Sequence, residues 1–491
     1  MLIVEVSLCD SVPTGNVISP AQGGAGTKQV RLSVSDMSIN SRLFIGLCLV
    51  AALVSCPGSG PAKESREHHV AVSGSDTRGN GTQEKPWRTV AFAVSGIKGG
   101  DIVTVHGGLY REKGIGILPS ASGSTKYPTT IRAAEGEEVT IRGVDAGGEA
   151  IYTVGVSASH VMIEGLKIIG FSRTAKGGKG GTLYVGGGKR PSSDVKIRRC
   201  ELINSGKELG ASNPSIVVFN STENCEISNC RIYGLGTCDR DGIKIWSGTS
   251  RLLVQGNEVF NLLRRGIDNK HGGRDRHLTI INNYVHDVGH LGIHLNGDQS
   301  LIENNVLYKC RIGIGVWRNE GRPGGSHSTL NHNTLVNCGN GIILGFGPAG
   351  AEGFRSCTVT NNIFLNCSGE FPELSINPYN KNPFDFGHTI DFNCYYNDRN
   401  SGVVRHHTNK PYTLIQWRET SGQDAHSVQE NPELLGEPDN FNDLCDFRVS
   451  KGFAKSFQTS DGKVVGADIQ DMKNCTDHLP RIPSNVRIST P

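Results

Sequence analysis

DGIKIWSG (Asp241–Gly248), GIDNKHGG (Gly266–Gly273), GIHLNGD (Gly292–Asp298), GIGVWRN (Gly313–Asn319) and GIILGFG (Gly341–Gly347) share one pattern: Gly-Ile followed by alternating residues. Their repeat glycines, Gly242, Gly266, Gly292, Gly313 and Gly341, are separated by 24, 26, 21 and 28 residues. A second series is equally regular: LLVQGNEVF, LTIINNYVH, SLIENNVLY, STLNHNTLV and CTVTNNIFL. Short β-branched strands with Asn and Gly turns, repeating about every 25 residues, predict a parallel β-helix solenoid. Each coil buries its apolar face only by stacking on its neighbours, so about ten coils make one continuous core. A β-propeller repeats at about 40–45 residues, which this spacing excludes.

Composition points the same way. Glycine supplies 64 of 491 residues, and 27 asparagines fall between Asn204 and Asn400. Both residue types suit turns and left-handed backbone and weaken helix interiors, which excludes a helical bundle. Hydrophobic residues at 36% and charged residues at 20% are too apolar a mixture for a disordered chain. Lys and Arg number 50 against 47 Asp and Glu, and a net charge of +3 argues against a nucleic-acid partner held by bulk charge.

The N-terminal region reads as an export address. Leu43–Ser55 is a 13-residue apolar run after Arg42, too short to span a bilayer but suited to a signal-peptide core. It ends in LVSC (Leu53–Cys56), which resembles the bacterial lipoprotein box. That resemblance implies acylation of Cys56 and a lipid-anchored or secreted protein of the cell envelope. The expected organisation is an extension without function over 1–36, a lipoprotein-type signal peptide over 37–56 and a linker over 57–69. A β-helix over 70–400 and a capping segment over 401–491 follow. The membrane is contacted only through Cys56, and the exported chain is expected to be monomeric. Cys310, Cys338 and Cys367 precede turns in successive repeats (YKCR, VNCG, LNCS) and should stack as buried free thiols rather than disulfides.

Both ends of the repeat region carry a resemblance. VSGSDTRGNGTQEKPWRTVAFAV (Val72–Val94), GDIVTVHGGLYRE (Gly100–Glu112) and YPTTIRA are similar to the opening of bacterial right-handed β-helix proteins. ENPELLGEPDNFNDLCDFRV (Glu430–Val449) and VVGADI (Val464–Ile469) resemble their closing segment. The group is the pectate-lyase-like one, including family 9 polysaccharide lyases. The resemblance spans about residues 70–490 and implies an all-β, right-handed single-stranded parallel β-helix with a capping helix near Trp87–Val94 and an irregular C-terminal cap.

Alternation then places side chains. Ile243, Ile245, Ile267, Ile293, Leu295, Ile314, Val316, Ile342 and Leu344 are expected inside. Two outward columns remain: Val217, Lys244, Asp268, His294, Gly315, Ile343, and Phe219, Trp246, Lys270, Asn296, Trp317, Gly345. Two tryptophans thus flank Lys, Asp, Asn and His, with His271 and Arg318 just beyond. Aromatic faces stack on sugar rings, and charged groups between them grip an acidic sugar. Trp246, Trp317, Asn296, Arg318, His271 and Arg265 are the candidate substrate-binding residues. The bland alternative is a solvated face with a Lys244–Asp268 ion pair.

In the pectate-lyase-like group a bound Ca²⁺ neutralises a uronate carboxylate, a Lys or Arg removes the adjacent proton, and the glycosidic oxygen leaves by β-elimination. By that resemblance Asp241, Asp268 and Asp239 are the candidate Ca²⁺ ligands. Lys270 is the first candidate base and Lys244 the second, with His294 as a hydrogen-bond partner or proton donor. A catalytic Lys needs its pKa moved from about 10.4 toward ~7–8, and a bare Asp268 beside Lys244 moves it the other way. The match departs from the family pattern: DRDGIK stands where family 9 lyases carry DDGFD, so Arg240 and Lys244 replace two acidic positions. Family 6 lyases instead use a Lys and an Arg on neighbouring coils, and only the KHG of Lys270–Gly272 resembles their RHG element.

The reading is an exported, polysaccharide-active protein, first a Ca²⁺-assisted lyase on an acidic polysaccharide. The alternatives are a glycoside hydrolase on the same scaffold and a non-catalytic glycan-binding protein. A hydrolase needs two carboxyls about 5–5.5 Å or 6.5–9.5 Å apart; the backbones of Asp241 and Asp268 should lie roughly 11 Å apart. His286, His290 and His294 have a helical zinc spacing, but Gly289 and Gly292 break helicity and the repeat puts His294 on a strand.

Overall fold

The computed structural model describes residues 65–144, 152–170, 181–188, 191–204, 215–235, 241–246, 248–269, 276–317, 325–345, 355–367, 373–376, 387–398, 402–406, 411–436, 441, 443–457 and 459–469. The signal-peptide reading, Cys56, Asp239, Lys270, His271 and Arg318 lie outside these residues.

The alternating segments fold as short strands that pair in parallel with the equivalent strand one coil away. One face is a 12-stranded ladder running from Glu67–Val70 to Thr389–Asp391, so twelve rungs stack where about ten were expected. The rest of each coil contributes to a 20-stranded sheet. Parallel crossovers of this kind are right-handed. The fold is a right-handed parallel β-helix, and the isoleucines of the Gly-Ile repeats are fully buried in its core. Full burial of such a side chain stabilises by about 1.5–3 kcal/mol.

Five strands carry the region of interest: β1 (Asp241–Ile245), β2 (Arg265–Asp268), β3 (Tyr284–Leu295), β4 (Val306–Val316) and β5 (Asn340–Leu344). Their register places Lys244 beside Asp268, Asp268 beside His294, His294 beside Gly315 and Gly315 beside Ile343, as the repeat spacing requires. One coil earlier the expected column fails. Val217 pairs with Ile243 and Phe219 with Ile245, so both face the core, and Val218 stands beside Lys244. That coil (SIVVFN) lacks the Gly-Ile marker, and a one-residue slip exchanges the two faces of a strand.

The Gly of each Gly-Ile marks a tight corner. A Cβ at Gly242 would come 2.7 Å from the Gly266 carbonyl oxygen, and one at Gly266 2.5 Å from that of Gly292. The asparagines mark another. Asn257, Asn283, Asn305, Asn333, Asn362 and Asn393 are buried in successive coils, each Nδ2 donating to the next Oδ1 at 2.9–3.1 Å. The residue before each holds a left-handed conformation (Asn282 at φ 58°, Asn304 at φ 55°), which explains the recurrent Asn-Asn pair. The ladder ends on Asp424, whose carboxylate also accepts from Trp417 and Tyr395.

Helix α1 (Val90–Gly96) covers the first coils. Thr89 caps its N-terminus and the buried Glu112 carboxylate accepts from Val90 N at 2.8 Å. The helix starts after Trp87, which instead bridges Val70. The C-terminal residues divide in two. Helix α2 (Leu414–Ser421) buries Leu414 and Trp417 in the same core as the last coils. Phe441, Leu444, Phe447, Phe453 and Phe457 pack outside the solenoid against Val306, Tyr308, Val336, Ile363 and Leu365. Cys310, Cys338 and Cys367 are buried free thiols, as expected, as are Cys200, Cys225, Cys230, Cys357 and Cys394, while Cys445 is disulfide-bonded.

Glu373 occupies the corner position one coil after Gly341, fully buried, with Asn397 donating to Oε1 at 3.1 Å and Oε2 without a partner among the described residues. Burial pushes its carboxyl up to about 8. The folded chain therefore holds a proton that the unfolded chain releases near pH ~4.5. Stability from this residue is complete below that value and falls by about 1.4 kcal/mol per pH unit until the folded pKa is reached. Glu373→Gln is expected to unfold at a higher temperature than the parent at pH 8, with the gap closing toward pH 4. A gap independent of pH in thermal melts contradicts this account.

Candidate active site

On the outer wall of β1 to β4, Asp241, Lys244, Arg265, Asp268 and His294 come together. Lys244 Nζ donates to Asp241 Oδ2 at 2.9 Å and to Asp268 Oδ2 at 2.8 Å. Arg265 Nη1 donates to the same Asp268 oxygen at 3.0 Å, and His294 Nδ1 donates to Asp268 Oδ1 at 2.8 Å. Ser215 Oγ adds a 3.3 Å hydrogen bond to Asp241 Oδ2. Ser215 belongs to no repeated motif, and only the structure places it here. Asp241 and Lys244 are three residues apart, which in a straight strand puts them on opposite faces. Gly242 turns the corner between them and brings both onto one wall.

The cluster is buried: Asp268 and His294 are 0% exposed, Asp241 2% and Arg265 6%. Burial by itself disfavours the Asp268 carboxylate, but the His294 hydrogen bond and the Lys244 and Arg265 charges outweigh it and hold the group far below the usual range. Asp268 is therefore ionised and accepts only, which fixes the proton of His294 on Nδ1. Burial lowers the His294 pKa, and the Arg265 and Lys244 charges add to that against the pull of Asp268. The imidazole is neutral near pH 7, with Nε2 as its basic nitrogen, buried and without a hydrogen-bond partner among the described residues. The same holds of the buried Asp241 Oδ1 and Arg265 Nε.

Lys244 behaves as the sequence argument required. Burial disfavours its charge, yet the charges of Asp268 and Asp241 prevail and raise its pKa. These charges favour the ammonium, the opposite of what a base needs. The Ca²⁺ expectation meets a related difficulty. Ca²⁺ takes 6–8 oxygens; here Asp241 and Asp268 converge on an ammonium, and both oxygens of Asp268 are already accepting. Among the described residues no three His, Cys, Asp or Glu side chains group to hold a metal ion. The described residues alone do not make up a Ca²⁺ coordination set, and Asp239, the third expected ligand, lies outside them.

The two tryptophans are not equivalent. Trp246, on the outward position beyond Lys244, is 40% exposed. Trp317 is 8% exposed, its ring 4.7 Å from that of His294 and folded over Gly315, where a Cβ would lie 2.4 Å from Cζ3. The expected open platform is a closed cover, because Gly315 leaves room for it. Asn296 is buried, its backbone N–H donating to Asn269 Oδ1, rather than lining an open face. His286 and His294 lie on β3; His286 pairs with Asp287 and Glu258 and stacks on Phe260 and Tyr284, away from any shared metal position.

Fold and wall together define a right-handed parallel β-helix protein with a buried charged cluster on its outer face. A family model described as "Periplasmic copper-binding protein (NosD)" matches residues 180–384. Among solved structures the chain is similar to "The complex structure of XylC with xylose", at a TM-score of 0.50 and 14% identity, covering 75% of this chain and 87% of that one. It is also similar to "Crystal structure of pectate lyase Pel9A", at a TM-score of 0.45 and 15% identity, covering 66% and 80%. An alginate lyase from Paenibacillus sp. str. FPU-7 follows, at 0.44 and 17%, covering 59% and 95%. No curated protein matches the chain.

Proposed function

We propose that the protein is an exported polysaccharide lyase that cleaves a uronate-containing chain by β-elimination, with His294 as the base. The observation that carries this reading is the Asp268–His294 hydrogen bond, which leaves a neutral imidazole whose buried Nε2 has no partner among the described residues, beside two fixed cations. Arg265 and Lys244 supply positive charge toward a uronate carboxylate and so acidify the adjacent C5–H. Nε2 takes that proton, the C–H electron pair forms the C4–C5 double bond, and the C4–O bond breaks. The departing oxygen takes a proton from solvent. Trp246 offers a ring face to a neighbouring sugar, and entry of the reacting sugar displaces Trp317 from Gly315.

A hydrolase is less well supported. Asp241 and Asp268 hydrogen-bond one Nζ and so lie within twice a hydrogen-bond length, but the Lys244 ammonium stands between them and Asp268 is held ionised, which leaves only Asp241, itself accepting from Lys244, as the required acid. Export is supported by the LVSC signal, by the periplasmic description of the matching family and by the disulfide at Cys445, which suits an oxidising compartment. The same proposal includes a lipid anchor on Cys56.

The test is incubation of the purified chain with pectate, alginate, heparinoid and chondroitin panels. Ultraviolet-absorbing unsaturated ends on at least one uronate polymer are expected. New reducing ends without that absorbance would make the protein a hydrolase, and retention without cleavage a binder.

A further inference from the structure

The centre of the cluster is a positive charge supplied by the chain itself. Two buried carboxylates, Asp241 and Asp268, point their Oδ2 atoms at one Nζ, 2.9 and 2.8 Å away. The Lys244 side chain that fills the space is 14% exposed, against 3% and 0% for the two carboxyl groups. Arg265 completes a balance of two negative and two positive groups, with His294 neutral. Asp241 Oδ1 is buried and has no partner among the described residues, an oxygen with capacity to coordinate. A divalent cation added to this wall would meet two fixed cations within hydrogen-bond reach of Asp268, so the wall as it stands repels it.

We infer that Lys244 is a built-in cation holding the place of a divalent metal, and that exchanging it for a carboxylate converts the wall into a Ca²⁺ site. Lys244 then both positions the aspartates and faces the uronate carboxylate. It fixes both aspartates and lends a charge that needs no dissociable ion, so the site works under chelation. The inference deepens the proposed elimination site and takes its chemical purpose from that reading. Its test contains no polysaccharide, so failure here is distinct from absence of lyase activity.

The experiment is calorimetric titration of Ca²⁺ into the chelator-treated chain, with Tb³⁺ luminescence as a second probe. The parent is expected to take up no Ca²⁺ at this wall, so that Asp268→Asn leaves its titration unchanged. Lys244→Asp, which presents three carboxylates, is expected to gain one bound Ca²⁺ per chain and to lose it again on Asp268→Asn. Should Lys244→Asp fold only with Ca²⁺ present, recovery of its β-sheet circular dichroism on adding Ca²⁺ has the same meaning. The inference is overturned if the parent binds one Ca²⁺ that Asp268→Asn abolishes. It is equally overturned if Lys244→Asp, folded or not, shows no response to Ca²⁺.

Discussion

His294→Gln is expected to lower the rate of unsaturated-end formation by about 10²–10⁴-fold, the usual contribution of a positioned general base, while leaving the melting temperature nearly unchanged. Glutamine keeps a donor toward Asp268 but has no nitrogen able to accept a proton. The parent should also lose activity as pH falls. Because burial and the neighbouring cations hold the His294 pKa below its ordinary value, the acid limb belongs below the pH at which an exposed histidine titrates. Lys270→Ala, two positions beyond Asp268, separates the two candidate bases. Full loss in Lys270→Ala with activity retained in His294→Gln would transfer the role to Lys270.

The second large effect is on the fold. Asp268→Asn leaves Lys244 and Arg265 buried with one carboxylate fewer between them, and breaking a buried ion pair in this way costs about 3–5 kcal/mol. The ionised carboxylate contributes stability that is complete above the unfolded Asp value and falls progressively below it, toward the much lower folded one. In chemical denaturation the Asn variant should lose several kcal/mol, about 3–5, and Asp268→Asn combined with Lys244→Met should recover part of that loss. Additive losses in the double variant would mean that the two residues do not act on each other.

The legible part of this site is the part governed by repeat spacing. Lys244, Asp268 and His294 each sit two residues after a Gly-Ile glycine, so counting from that glycine stacks them correctly. Where the marker is missing the count slips, and Val217 and Phe219 turn inward. The Asn-Asn pairs were visible as a compositional bias, but the hydrogen-bonded ladder becomes apparent only when the coils are stacked. Side-chain closure was the least legible. Gly315 reads as one more small residue, yet its missing Cβ lets Trp317 fold onto the wall and cover His294. Likewise Asp241 and Asp268 suggest a metal until Lys244 is seen to reach both of them.

The most direct test of the whole account is a crystal structure of the His294→Gln chain with a uronate oligosaccharide from the polymer it cleaves. The account predicts Trp317 lifted from Gly315, the sugar carboxylate against Arg265 and Lys244, and its C5 facing the side chain at position 294. An oligosaccharide bound elsewhere, with Trp317 still closed over Gly315, would contradict it.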